Sequence, residues 1–125
     1  MRHYAYFFTR QDISPEQQIV QTAHAALVMG VNSQRDTDYG ALDEYVPHLN
    51  TWDLNPNETY FTVAGVRNLE ALNAVAMILN AFNYRYEVFH EPDLNNGEIT
   101  SIAVYPVADK DRGPLLAFNL LKINK

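Results

Sequence analysis

The chain has no cysteine, so disulfides, thiolate nucleophiles and zinc held through sulfur are excluded. It is short of positive charge. Nine Lys and Arg stand against fifteen Asp and Glu, giving a net charge of -6 and a pI of about 5.0. A nucleic-acid backbone is ordinarily met by a basic surface, so this balance weighs against strong binding to one, although a local basic patch stays open. No apolar run approaches the roughly 18 residues needed to span a bilayer, so a membrane is not an expected partner. Repeats, low-complexity tracts and interdomain linkers are missing too. Met1-Arg2-His3-Tyr4 leads straight into a strand pattern rather than a signal peptide, which makes a cytoplasmic location the expectation. What is present is an ordinary apolar fraction, 47%, over 125 residues. That is one domain, 1–125, with enough chain for a core.

The stretch Asp12 to Gly30 organises the rest. Ser14 suits a helix N-cap, Pro15 the first helical position, and Gln17 completes a Ser-x-x-Gln capping box. Gly30 is placed to end the helix in a left-handed conformation. At 100° per residue, Ile19, Val20, Ala23, Ala26 and Leu27 fall on one stripe, the expected packing face. Gln17, Gln21 and His24 fall on a neighbouring stripe and present two amides and an imidazole. Arg10 and Asp12 lie in the short loop before the helix N-terminus, where polar chemistry is often done.

Tyr4–Thr9 is apolar on both alternating faces, the mark of a central strand covered on both sides. Asn32–Asp38 reads as a polar loop, Ala41–Val46 as a short helix stopped by Pro47, and Trp52 as packing on the body. Thr59–Ala64 is a second strand. Asn68 caps a helix over Leu69–Phe82. Arg85–His90 alternates as a third strand, followed by a turn-rich loop, Glu91–Gly97. Thr100–Tyr105 is a fourth strand stopped by Pro106, and Pro114 opens a last helix to Leu121. Strands alternating with helices predict an α/β fold, and the short link between the last two strands allows an antiparallel pair. The expectation is a three-layer α/β/α sandwich on a four-stranded mixed sheet.

The run Arg10-Gln11-Asp12-Ile13, then Gln21-Thr22-Ala23-His24-Ala25-Ala26 on the helix, resembles the peptidyl-tRNA hydrolases of the second type. The likeness extends through Val88-Phe89-His90-Glu91, through Thr100–Pro106 and to Leu121-Lys122-Ile123. It implies sheet order 2-1-4-3 with one strand antiparallel, and hydrolysis of the ester between peptide and tRNA. The family's catalytic lysine at the start of the first helix aligns with Gln17, and its catalytic aspartate with Glu91. Its Ala-Gly-Arg-Thr loop is replaced by Pro92–Gly97, which is acidic and rich in amides. Thr100 matches a family hydroxyl near the site. The fold is expected to be kept and the hydrolase site rewritten.

The candidate catalytic residues are therefore His24, Glu91, Gln17 and Asp12. His24 is a candidate general base, and Glu91 a carboxylate at a strand end, where open α/β sheets hold ligands. Arg10, Gln21 and Thr100 are the candidate substrate-binding groups. Each has a plainer reading: a histidine at the edge of a packing face, a solvated carboxylate, an exposed amide stripe, a strand threonine. His90 and Glu91 suggest a metal, but neighbours on a strand point to opposite faces, so no metal and no cofactor is expected. Two functions follow as expectations. One is a divergent peptidyl-tRNA hydrolase, weak or inactive, with tRNA as partner. The alternative is a non-catalytic module holding a small polar ligand or a protein in the same cleft. The last helix, apolar nearly all round, adds a homodimer to the expected partners.

Overall fold

The structure, a computed structural model, describes residues 2–38, 50–51 and 54–118, with the side chains of 35–38 outside the description. β1 (His3–Arg10) leads into α1 (Pro15–Asp38). Then come β2 (Thr59–Val66), α2 (Leu69–Ala81), β3 (Tyr86–His90) and β4 (Ile99–Ala108). Two short 3-10 turns, Asp109–Asp111 and Gly113–Ala117, follow. The sheet order is β2-β1-β4-β3, with β2 parallel to β1 and β4 antiparallel to both of its neighbours. The mixed sheet and its order are as expected. So is the central place of β1, whose last six residues are all buried. No helix among the described residues is long and apolar enough to cross a membrane.

Residue parity in β1 separates two cores, one on each face. Tyr6 and Phe8 pack with Leu72, Val75 and Leu79 of α2. Ala5 and Phe7 pack with Ala25 and Met29 of α1. The caps hold as the sequence predicts: the Gln17 amide donates to Ser14 Oγ at 3.2 Å, and the Ala71 amide to Asn68 Oδ1 at 2.9 Å. Asn50 ties the start of β3 to β4. It donates to the carbonyls of Arg85 and Tyr105 and accepts from the Arg85 amide.

Four local expectations are corrected. Gly30 does not end α1, which runs on through the stretch read as a loop. Gly30 is not among the residues with a left-handed φ, and a side chain there would meet nothing, so its glycine marks no turn. Second, α1 packs through Gln18, Gln21, Ala25 and Met29, while Ile19, Val20, Ala23 and Leu27 are exposed. The cause lies in the sheet beneath. Thr9, Thr100 and Ser101 make that patch polar, so Gln21 and Thr22 find partners there. An apolar stripe read from one helix cannot register the polarity of its opposing surface. Third, β4 passes through Pro106 to Ala108, because the β1–β4 register shifts between Tyr4 and Tyr6 and the irregularity accommodates a residue without an N–H. Fourth, Gly113–Ala117 is 3-10 rather than α-helical. The expected helix over Ala41–Val46, Trp52 and the end of the last helix lie outside the described residues.

Candidate functional site

Three elements end at one rim of the sheet. β1 finishes at Arg10, β3 at His90, and α1 begins at Pro15. The start of β4 lies there as well. The β3–β4 register steps from Phe89↔Ser101 to His90↔Ile99, so Thr100 is an extra residue in the strand. Such a bulge re-aims a side chain. Here it sends Thr100 toward α1, as Ser101 is, and Thr100 Oγ1 donates to Gln21 Oε1 at 2.6 Å.

Gln21 is the pivot of the site. It is 1% exposed, and all of its polar capacity but one lone pair is directed. Its Nε2 donates to Glu91 Oε2 at 2.8 Å and to Gln17 Oε1 at 3.1 Å. The second oxygen of Glu91 accepts the Asp93 amide at 3.2 Å. These donors, Gln21 first and the Asp93 amide second, hold the Glu91 carboxyl below the usual carboxylate range, and His24 contributes in the same direction. Glu91 is therefore an ionised, oriented carboxylate at neutral pH. His24 stands beside it with its ring stacked on Phe89, centroids 4.5 Å apart and planes 10° from parallel.

The loop that carries Glu91 is built tightly. The Glu91 amide donates to the Glu98 carbonyl, and Asn95, Asn96 and Gly97 in succession take left-handed φ values of 43°, 66° and 95°. Two asparagines and a glycine suit that conformation. His90 Nδ1 lies 3.0 Å from the Gly97 carbonyl, while Glu91 faces Gln21, so the two neighbours diverge.

The result is a cleft of about 480 Å³ lined by Gln17, Gln21, His24, Glu91 and Thr100. Five of the seven residues expected from the sequence therefore share one surface. Arg10 and Asp12 do not line it. Arg10 is 6% exposed, and its guanidinium grips Asp12 through two bonds, of 2.9 and 2.8 Å. It also donates to Glu98 at 2.6 Å and to the Ile99 carbonyl. Arg10 holds the Asp12 carboxyl below its ordinary range, and the same is true of Glu98. This group clamps the β1–α1 loop to the start of β4. The residues that the sequence did not place at the site are Asp93, Leu94, Ile13 and Val20 in the lining, the last of them read as part of the packing face, and Phe89 beneath His24. Turn chemistry at Asn95-Asn96-Gly97 was the available signal that Asp93 and Glu98 fold back on the site.

No family model matches the chain, and no curated protein does. Among solved structures it is similar to a protein of unknown function from Agrobacterium tumefaciens strain C58, with a TM-score of 0.57 and 11% identity. That likeness covers 98% of this chain and 99% of the other. At this identity it speaks to the fold alone.

Proposed function

We propose that this chain is a divergent peptidyl-tRNA hydrolase-like protein. In this reading its cleft takes a small polar ligand rich in hydrogen-bond donors, and its hydrolysis of peptidyl-tRNA is weak or lost. One observation carries the reading: among the described residues, the cleft lining holds two carboxylates, Glu91 and Asp93, and neither lysine nor arginine. A phosphate-bearing substrate entering there meets repulsion from both carboxylates, against the background of an acidic chain. The guanidinium expected at the site, Arg10, is already bound by Asp12 and Glu98. An ammonium or guanidinium group, by contrast, finds an oriented carboxylate, the Gln17 amide and an imidazole.

The hydrolytic half of the proposal rests on Gln17. An amide neither carries the charge that attracts phosphate nor changes protonation in the working range. Losing one preorganised charged group typically costs about 10²–10³ in rate. The test is single-turnover hydrolysis of a model peptidyl-tRNA by the natural chain and by Gln17→Lys. The expected result is little or no cleavage by the natural chain and a gain in the variant. Robust cleavage by the natural chain, unchanged by the lysine, would overturn the proposal.

A further inference from the structure

The cleft between α1 and Glu91 has two unlike halves. Gln21, Glu91 and Thr100 are polar and tied to one another. Ile13, Val20 and Leu94 line the same cleft and are aliphatic. Val20 is 42% exposed there. A small cation that met only the carboxylate would leave this aliphatic wall in water. A cation carried on a hydrocarbon stem covers it.

The polar half favours a flat head on that stem. Each oxygen of Glu91 accepts one hydrogen bond, Oε2 from Gln21 and Oε1 from the Asp93 amide. A carboxylate oxygen has two lone pairs, so both oxygens keep one, at positions already fixed. A guanidinium meets two such acceptors at once through parallel N–H groups, whereas an ammonium approaches as a point charge. His24 adds a surface. Its ring is exposed and lies on Phe89 with planes 10° from parallel, so one face is covered. Among the described residues the other face has neither a ring nor a cation on it. Guanidinium planes stack on such a face. Gln21 and His24 also lie beyond the first turn of α1, where the positive end of the helix dipole no longer opposes a cation.

We propose that the cleft selects an alkylguanidinium. Its planar head pairs with Glu91 beside the open face of His24, and its stem lies along Ile13, Val20 and Leu94. The inference rests on the reading of the cleft as a site for a positively charged donor, and adds the shape of that donor and its stem. The same chemistry belongs to a free alkylguanidine and to an arginine side chain of another polypeptide.

Proton–nitrogen NMR titrations of the full chain with butylguanidinium, butylammonium and the stemless guanidinium ion, at one ionic strength, test it. Butylguanidinium is expected to bind about tenfold more tightly than either of the others. His24→Ala should cost butylguanidinium more than butylammonium and narrow the preference between heads to about threefold or less. Val20→Ser should weaken butylguanidinium about threefold and the stemless ion by less. Both side chains are exposed, so both variants should keep the natural circular dichroism spectrum. Nα-acetylarginine methylamide separates the two sources. Binding equal to that of butylguanidinium supports an arginine side chain, and binding at least tenfold weaker supports a free alkylguanidine. Equal affinity for butylammonium and butylguanidinium would overturn the inference and leave the cation reading in place, and so would a stemless ion that binds as tightly as butylguanidinium. A cleft that responds to none of the three would overturn both.

Discussion

Gln21 on α1 and Glu91 beyond β3, 70 residues apart in the chain, are joined by a hydrogen bond of 2.8 Å. The same amide accepts from Thr100, so one buried side chain fixes both a carboxylate and a strand bulge. Gln21→Ala should therefore do two things. It should leave the buried Thr100 hydroxyl without its acceptor, at a cost of about 1–3 kcal/mol in urea unfolding. It should also let the Glu91 carboxyl rise toward its ordinary range, readable by carbon NMR titration. Unchanged Glu91 titration would mean that the amide does not orient the carboxylate.

The packing face of α1 gives a paired prediction. Ala25 is fully buried against the sheet, so Ala25→Asp should cost about 3–5 kcal/mol through an unpaired buried charge. Ala23 is exposed, and Ala23→Asp should stay within about 0.5 kcal/mol of the natural chain. Thermal melts of both variants decide it, and equal losses would mean that the helix is rotated from the position described.

That pair also marks how far the sequence was legible. The order of the main strands and helices, the Ser14 and Asn68 caps and the common face of Gln17, Gln21 and His24 could be read because each depends on short-range spacing, whereas the sheet order was implied only by the family resemblance. The buried face of α1 could not. Its apolar stripe, Ile19 to Leu27, suggested one answer, and the polar patch of Thr9, Thr100 and Ser101 imposed another. The bulge at Thr100 depends on strand register. The Arg10–Glu98 contact joins residues 88 apart. Neither leaves a local pattern in the chain.

Asn50 makes three hydrogen bonds to the backbone of Arg85 and Tyr105 from a buried position. Asn50→Ala takes the side-chain acceptor from the Arg85 amide and a donor from the carbonyls of Arg85 and Tyr105, the first of which keeps the Tyr105 amide. A loss of about 2–3 kcal/mol in denaturant unfolding is expected, with faster exchange of the Arg85 amide. A neutral substitution would show that the link is dispensable.

The Arg10 clamp should give the protein an acid-sensitive stability. Arg10 depresses the carboxyls of Asp12 and Glu98 in the folded state. Their stabilising contribution is therefore complete above the ordinary carboxylate range, and it is lost as pH falls through the lowered folded values. In Arg10→Gln that contribution is gone at every pH. The Tm gap between the natural chain and this variant should be widest near pH 7 and should shrink below about pH 4. A gap independent of pH would show that the clamp stabilises by packing alone.

The central claim is that the cleft between α1 and Glu91 is built for a donor-rich, positively charged group and not for phosphate. Separate titrations of the labelled chain with agmatine and with inorganic phosphate, followed by proton–nitrogen NMR, test it most directly. Agmatine should shift the Gln21 side-chain amide and the backbone signals of His24, Glu91 and Thr100 in a saturable way. That response should disappear in Glu91→Gln, while phosphate at the same concentrations should leave these signals in place. Saturable phosphate binding at those residues, with agmatine silent, would contradict the account.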